Sequence, residues 1–403
     1  MSSSNHRWTT TILLGSLAIA GANGACGSDV SSGTGASGEG GTTTGISSTG
    51  GSDEGGGNAG GGGMAPDPCL PLEPGLRAAL ETAYAPDANL KGGLMLAVST
   101  PDCPLWSASV GDDMLTADSL FKIGVTSRML VAATVLTLVD DGVLSLDDTL
   151  DAWIPAIPDS DTLTLQHLLN ATSGLRDYNE NQDFLDLLSL DPDTVWTPNE
   201  LIQYSIDAGQ AAPPGTAYDR KFVDFVALGI VLEAVTGLTA HAAIRDRVID
   251  PLGLDATFLA GPEGSFAKIV PGYLPNGMEF PKEYVDPSFW WVGAAFVSNA
   301  VDTLALSRAI VVSDLLSETS RDALLDLTVP TGAAGLDQGL GVLADTSSGD
   351  LWVGQQGTIP PHEVRNFYSP ALDAAVVVLG TNDFATYGLL VDAFGVIDDA
   401  QSQ

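Results

Sequence analysis

The sequence predicts an α+β fold in which both ends of the chain build one antiparallel sheet, with helices on both of its faces. Two strand-like segments, residues 93–100 and 105–110, precede a long and mainly helical stretch, and three or four more follow near the C-terminus. Strands at both ends with helices between them imply that the ends meet in one sheet. The helical block is then an inserted subdomain at about residues 126–330.

Apolar spacing indicates the helices. Residues 74–85 place apolar side chains on one helical face, and Pro74 suits the first turn, where its missing N–H costs no hydrogen bond. Residues 131–139 are apolar nearly all round, which is typical of a buried helix. Residues 225–235 are similar, and the following Thr236-Gly237 is a common way for a helix to end.

The C-terminal part returns to strand-like patterns. Short apolar runs occur at residues 340–343, 351–353, 364–368 and 374–379, and a last helix is expected at about 387–396. Together with the two N-terminal segments, these runs complete the predicted sheet.

The N-terminus carries signals for export. Residues 12–22 form an apolar stretch behind a basic residue, which predicts a signal peptide over residues 1–25. The stretch is too short to span a bilayer. Cys26 is then a candidate for lipidation as the first residue of the mature chain. Cleavage after Ala22 without lipidation is the alternative.

A spacer separates this region from the folded part. Residues 26–66 are almost wholly Gly, Ser and Thr with a few acids, which predicts a lipid-anchored, disordered linker ahead of one domain at residues 67–403. The reach of such a linker is roughly 35 Å. This length holds the domain clear of a membrane surface, so we expect membrane contact only through the lipid anchor.

Export also bears on the remaining cysteines. If Cys26 is acylated, Cys69 and Cys103 are left as a pair in an oxidising compartment. We expect a disulfide between them, which would stabilise the fold by roughly 3–4 kcal/mol on the loop-entropy model. Two free buried thiols are the alternative.

The charge of the chain excludes several partners. Fifteen basic and 51 acidic residues give a net charge of −36. Nucleic acids and anionic membrane surfaces are repelled by such a chain, so we expect neither as a partner. No loop has the alternating oxygen ligands of an EF-hand, and we expect no metal and no cofactor. The acidic residues are scattered, as on the solvated surface of a monomer.

One segment carries a resemblance to a known family. Residues 121–150 read FKIGVTSRMLVAATVLTLVDDGVLSLDDTL. This resembles the Ser-x-x-Lys segment of the serine β-lactamase, D-alanyl-D-alanine carboxypeptidase and esterase superfamily, in which F-x-I-G-S-x-T-K opens a helix and L-x-L-D-D follows it. Further stretches resemble the family in the same order, at residues 162–178 (TLTLQHLLNATSGLRDY), 214–237 (from P-G-T to T-G), 250–254 (DPLGL) and 292–302 (VGAAFVSNAVD). The resemblance implies the β-lactamase-like α/β sandwich over about residues 90 to 380.

The resemblance also locates the nucleophile, and here the chain departs from the family. Without a gap, the serine position holds Val125 and the lysine position holds Arg128. A hydrocarbon cannot attack a carbonyl, and a guanidinium stays protonated and cannot act as the base. Ser127 is rotated about 200° around the helix from the nucleophile position, so it should face away from the site.

Two further catalytic elements are missing. The family has Tyr-x-Asn shortly after P-G-T, whereas this chain has Arg220 in the tyrosine position and Phe222 in the asparagine position. The strand element Lys-Thr-Gly or His-x-Gly is matched by residues 354–357 (GQQG), with Gln355 in the histidine position. Three independent departures predict a degenerate member that has lost the ancestral chemistry.

Basic residues occupy or flank the positions that the resemblance assigns to catalysis. Such residues are scarce in this chain, yet Arg128, Arg220 and Lys221 all fall at or beside those positions. Two facing guanidinium groups need an anion or acidic side chains between them. One interpretation is a pocket for an anionic small molecule or peptide, held by its carboxylate. The alternative is an internal salt-bridge network with acids such as Asp219 and Asp224.

Three functions remain open at this point. The first is a catalytically inactive exported lipoprotein that acts as a binding or scaffold module at the cell envelope, in the outer membrane or periplasm. The second is a hydrolase of an ester, amide or β-lactam that uses non-standard residues such as Ser127 or His362. The third is a purely structural envelope protein. We expect the first, because all three catalytic elements are absent.

Overall fold

The computed structural model describes residues 67–84, 91–111, 114–326, 328–382, 384 and 386–402. The predicted signal peptide, Cys26 and the linker lie outside the described residues.

The described chain begins with a helix and three strands, continues through a mainly helical stretch with short strands, and ends with six strands and a last helix. Its helices are α1 Glu73–Ala83, α2 Ser127–Asp140, α3 Leu165–Leu169, α4 Gln182–Leu190, α5 Pro198–Ala208, α6 Phe222–Thr236, α7 Ala240–Ile244, α8 Asp250–Leu252, α9 Trp291–Ala294, α10 Ala300–Val312, α11 Glu318–Asp326 and α12 Thr386–Gln401. Its strands are β1 Gly93–Ser99, β2 Trp106–Gly111, β3 Phe121–Lys122, β4 Phe258–Leu259, β5 Gly272–Tyr273, β6 Glu279–Phe280, β7 Phe296–Ser298, β8 Val329–Pro330, β9 Leu336–Gln338, β10 Leu343–Asp345, β11 Trp352–Ile359, β12 His362–Ser369 and β13 Ala374–Gly380.

Both ends of the chain meet in one antiparallel sheet. Its strand order is β2-β1-β13-β12-β11-β10-β9-β8, so the first and last long strands are neighbours. Leu94 pairs with Gly380 and Ser99 pairs with Ala375 along this junction. The predicted fold class is therefore confirmed, with the helical block inserted between β2 and the C-terminal strands.

The sequence underestimated the size of this sheet. The run expected at 340–343 lies at Leu343–Asp345, and β8 and β9, which were not predicted, add an edge beyond it. Strand β11 continues well past the expected end at residue 353. Its extension contains glutamines and glycines, so it lacks the apolar pattern of a strand, but it pairs with β12 along its whole length.

The sheet separates two apolar cores. On one face, α1 and α12 pack against the sheet and contribute Leu76, Leu80 and Phe394 to the smaller core. On the other face, α2 lies between the sheet and the rest of the helical block, and every residue from Ser127 to Leu138 is buried. A helix enclosed on all sides needs apolar residues all round, as its sequence predicts.

The start of helix α6 is positioned by a carboxylate that is distant in the sequence but close in space. The helix ends at Gly237, which adopts a left-handed conformation with φ of 71°, as the sequence predicts. At its start, the buried Asp177 side chain accepts hydrogen bonds from the backbone N–H groups of Phe222 (2.7 Å) and Val223 (3.2 Å). These two N–H groups have no partner inside the helix, so Asp177 fixes where α6 begins.

Within the described residues, no single helix is long and apolar enough to cross a membrane. One pair of helical segments, Phe222–Thr236 and Ala240–Leu252, meets the length and composition test together but is bent by 79°.

A disulfide ties the start of the domain to the sheet. Cys69 and Cys103 are bonded, with their Cα atoms 4.7 Å apart and a sequence separation of 34. Both cysteines are buried in the smaller core. The bond links the segment ahead of α1 to the loop between β1 and β2.

Removing this disulfide should destabilise the domain. Closing a loop of this length restricts the unfolded chain, so we expect the Cys69→Ala/Cys103→Ala variant to lose about 3–4 kcal/mol of unfolding free energy in a urea titration. The wild-type protein in a reducing agent serves as the matched control and should show a similar loss. A loss below about 1 kcal/mol in both would contradict the assigned bond.

Asp177 should make stability depend on pH. Burial raises its pKa to about 6, against the opposing effects of the N–H groups of Phe222 and Val223 and of Lys221 and Arg128. The folded state therefore binds more protons than the unfolded state between about pH 4 and pH 6. Relative to Asp177→Asn, which keeps the acceptor but cannot titrate, wild-type stability should fall by about 1–3 kcal/mol as pH rises through that window. A relative stability that rises with pH instead would show that the cations outweigh burial.

Candidate functional site

The site is framed by a backbone contact between a turn and a strand. The turn Gly124–Thr126 leads into α2 and lies against β11. A Cβ atom on Gly357 would lie 2.2 Å from the Ile123 carbonyl oxygen and 2.9 Å from the Val125 nitrogen, so only glycine permits this approach. Val125, which the sequence analysis predicts to occupy the nucleophile position, is half-buried at this contact and presents a hydrocarbon.

The two alternative catalytic residues are both enclosed. Ser127 is fully buried, and its Oγ accepts a hydrogen bond from the Phe296 N–H at 3.3 Å. His362 is 1% exposed, and its Nδ1 accepts a hydrogen bond from the Lys122 N–H at 3.3 Å. Neither side chain presents a reactive atom to solvent, which agrees with the expectation that Ser127 faces away from the site.

Arg128 is held among aromatic rings beneath the site. It is only 3% exposed, and its guanidinium lies 4.7 Å from the ring centre of Phe225 and 5.8 Å from that of Phe222. Its Nη2 donates to the Lys221 carbonyl at 2.9 Å. Burial, and next the charge of Arg220, lower the pKa of Arg128 to about 10, so the group stays charged at neutral pH.

Arg220 lies close enough to Arg128 for its charge to lower the pKa of Arg128. The Arg220 Nη2 makes long hydrogen bonds of 3.4 Å to the Gln355 side-chain oxygen and to the Gln356 carbonyl. Gln355 is fully buried and is itself fixed, because its amide nitrogen donates to the Gly341 carbonyl at 3.2 Å. The two residues that the sequence analysis assigns to the tyrosine and histidine positions therefore contact each other.

Neither arginine has an acidic partner. Among the described residues, no carboxylate oxygen lies within 4.0 Å of the Arg128 or Arg220 nitrogens. Within the same part of the chain, the buried Nε of Arg128 has no hydrogen-bond acceptor at all. Asp177 and Asp224 are the nearby buried acids, and burial raises the pKa of Asp224 well above its usual value. Burial therefore disfavours the charged form of Asp224, which is the form that would balance the two cations.

Lys221 behaves differently from the two arginines. Its ammonium forms ion pairs with Glu180 and, at 2.8 Å, with Asp219. Its inclusion in the predicted anion site is therefore corrected, because its charge is already satisfied by neighbouring carboxylates. The predicted internal salt-bridge network holds for this residue alone. In the described part of the chain, no group of three or more His, Cys, Asp or Glu residues is placed to hold a metal ion.

A buried polar network behind the site was not predicted. Asn366, on β12, is fully buried and accepts a hydrogen bond from the Thr126 hydroxyl at 3.2 Å. Its amide nitrogen donates to the Ser307 hydroxyl at 2.8 Å. These bonds fix the turn to the sheet and to α10. The sequence could not predict this contact, because Thr126 and Asn366 are single polar residues within apolar runs. Their sequence separation is 240.

Comparisons with known proteins agree with this architecture. The family model described as Beta-lactamase matches residues 89–396. The putative penicillin-binding protein PbpX of Bacillus subtilis is 24% identical over 264 residues, which cover 65% of this chain and 62% of that protein. Penicillin-binding protein 4 of Amycolatopsis lactamdurans is 32% identical over 145 residues, covering 35% of this chain and 36% of that protein. The chain thus spans less than two thirds of either relative.

Solved structures share the fold. The D-amino acid amidase of Ochrobactrum anthropi SV3, in complex with D-phenylalanine, superposes with a TM-score of 0.72 at 21% identity, covering 82% of this chain and 99% of that chain. The family match covers well over half of the sequence and includes the turn, the helix and the strand that frame the site. This chain therefore belongs to the beta-lactamase family.

Proposed function

We propose that this chain is a catalytically inactive member of its family that binds an anionic small molecule or peptide and acts as a binding module at the cell envelope. The observation that carries the proposal is the pair of guanidinium groups, Arg128 and Arg220, which the sequence assigns to catalytic positions of the family. Neither has a carboxylate partner within the part of the chain that the structure describes.

The absence of a nucleophile supports the loss of catalysis. Acyl transfer needs a hydroxyl or thiol with a base beside it. Val125 supplies neither, and Arg128 cannot accept a proton at neutral pH. The burial of Ser127 and His362 weighs against a hydrolase with displaced catalytic residues.

The charges of the pocket support anion binding. The buried Nε of Arg128, which has no hydrogen-bond acceptor among the described residues, costs free energy. An anion that accepts from it and from Arg220 would recover that cost through charge-assisted hydrogen bonds. The aromatic faces of Phe222 and Phe225 hold Arg128 in place when the anion is absent. The alternative of a purely structural protein gives no reason for two guanidinium groups without carboxylate partners among the described residues.

The N-terminal signals support the proposed location. The signal peptide, Cys26 and the linker together describe an exported lipoprotein that is tethered to the envelope. The disulfide between Cys69 and Cys103 suits an oxidising compartment outside the cytoplasm. We include the lipid anchor in the proposal as the only contact with the membrane.

Restoring the missing groups should restore acylation. The Val125→Ser/Arg128→Lys/Arg220→Tyr variant places a hydroxyl and two titratable groups on the existing frame. We expect a fluorophosphonate to label it at least about 100-fold faster than Val125→Ser alone, because general-base assistance typically contributes that much. Mass spectrometry of the labelled peptide measures the rate. Equal labelling of the two variants would count against the assigned register of the site.

Ligand binding should depend on both arginines. One solved relative holds D-phenylalanine, so N-acetyl-D-phenylalanine and its uncharged amide are matched probes, along with acetate. A carboxylate at 100 times its Kd should raise the unfolding free energy by about 2.7 kcal/mol. The amide should leave it unchanged, since it lacks the charge.

Variants distinguish specific binding at Arg128 and Arg220 from a nonspecific effect of removing positive charge from the protein. Arg128→Gln and Arg220→Gln should each weaken carboxylate binding by tenfold or more, equivalent to about 1.5–3 kcal/mol for a charged hydrogen bond. Arg176→Gln is the matched control, because Arg176 is exposed and lies on a nearby surface. If Arg176→Gln weakened binding as much as the other two, or if no carboxylate bound at all, the proposed pocket would be wrong.

A further inference from the structure

Lys122 is a buried lysine with no use in the site described above. It is 1% exposed on the short strand β3, between the buried residues Phe121 and Ile123. Among the described residues, its ammonium has no hydrogen-bond acceptor. Lysine is almost never fully buried without a partner, so its position needs a physical explanation.

The ammonium sits in an aromatic cage. Its Nζ lies 4.5 Å from the ring centre of Phe266 and 4.9 Å from that of Tyr284. Trp290 packs edge-on against both rings, at centroid distances of 6.4 and 5.6 Å, and closes the cage. The ring faces attract a cation, but they replace only part of the hydration that the ammonium loses.

Burial in the cage leaves the proton of Lys122 weakly held. Burial lowers the pKa of Lys122 to about 7, against a smaller opposing effect of Glu283. His362 on β12 and Lys282 are the other charged or titratable groups nearby, together with the Tyr284 hydroxyl. Burial, and next the charge of Lys122, lower the pKa of His362 to about 3, so His362 stays neutral near pH 7.

The caged lysine is directly connected to the site. Two residues after it, the chain enters the turn Gly124–Thr126 that carries Val125. Its backbone N–H donates to the Nδ1 of His362, the first residue of β12, which follows the end of β11 that packs on this turn. The turn and the end of the site strand are therefore joined through Lys122 and His362.

We propose that Lys122 and its aromatic cage form a proton-controlled latch that couples solution pH to the rigidity of the turn at Val125. With Lys122 neutral, the cage holds an apolar chain with an amine at its tip, and the turn is tightly closed. With Lys122 protonated, the enclosed charge favours local opening of the turn and of the adjoining end of β11, because opening returns the ammonium to water. This latch operates whether or not the pocket binds an anion.

Hydrogen exchange measured by mass spectrometry tests the latch on the intact mature chain. Protection factors, corrected for the intrinsic pH dependence of exchange, are compared at pH 6 and pH 9. In peptides that cover residues 121–126 and 357–364, protection should be lower at pH 6 by roughly tenfold or more, since one pKa unit corresponds to a tenfold change in the protonation equilibrium. Peptides from residues 93–99 should show no such difference.

Two substitutions fix the latch in opposite states. Lys122→Met should give high protection at both pH values, and Lys122→Arg should give low protection at both, because a guanidinium does not titrate in this range. Lys268→Met is the matched control, since Lys268 is exposed, and it should behave as wild type. A wild-type protein with equal protection at both pH values, or a Lys122→Met variant that keeps the wild-type difference, would overturn the proposal. If Lys122→Arg does not fold, wild type and Lys122→Met still decide it.

Discussion

The site depends on the close approach of two backbones, at Gly357 on β11 and at the turn Gly124–Thr126. This contact needs a glycine without a side chain and a turn that Gly124 enters with φ of 54°. The buried Asn366 ties the same turn to the sheet by its hydrogen bond with Thr126. These constraints hold the start of α2 in place independently of which side chains occupy it. The frame can therefore persist when the reactive groups are replaced.

The replacements change the electrostatics of the pocket. A serine hydrolase site needs a side chain that is unprotonated and can accept a proton from the nucleophile. Arg128 and Arg220 instead stay protonated and positively charged at neutral pH. Arg128 is accommodated by the rings of Phe222 and Phe225, each worth about 0.5–2 kcal/mol as cation–π contacts. Among the described residues, neither of these two cations forms an ion pair, whereas Lys221 is paired with Glu180 and Asp219. In the proposed function, the two guanidinium groups therefore give this place a fixed positive charge that binds an anion.

Much of the fold could be predicted from the sequence because its signals are local. The enclosed helix α2 and the end of α6 follow from apolar spacing and a single glycine. The family motifs assign Val125 and Arg128 by unbroken spacing and Gln355 by a separate motif, and these assignments remain predictions. The extension of β11 was missed because its polar residues pair with a distant strand. Lys122 was missed because a lysine between two apolar residues normally faces solvent, and only the tertiary structure shows that both faces of β3 are covered.

Intact-protein mass spectrometry of the mature chain, after exposure to a penicillin and to a fluorophosphonate, tests the central claim most directly. The frame without a nucleophile should leave the mass unchanged with both reagents, while an active relative is labelled in parallel. A stoichiometric adduct on the wild-type protein would contradict the account. If that adduct disappeared in Ser127→Ala, the chain would be a hydrolase whose nucleophile becomes exposed by a rearrangement of α2.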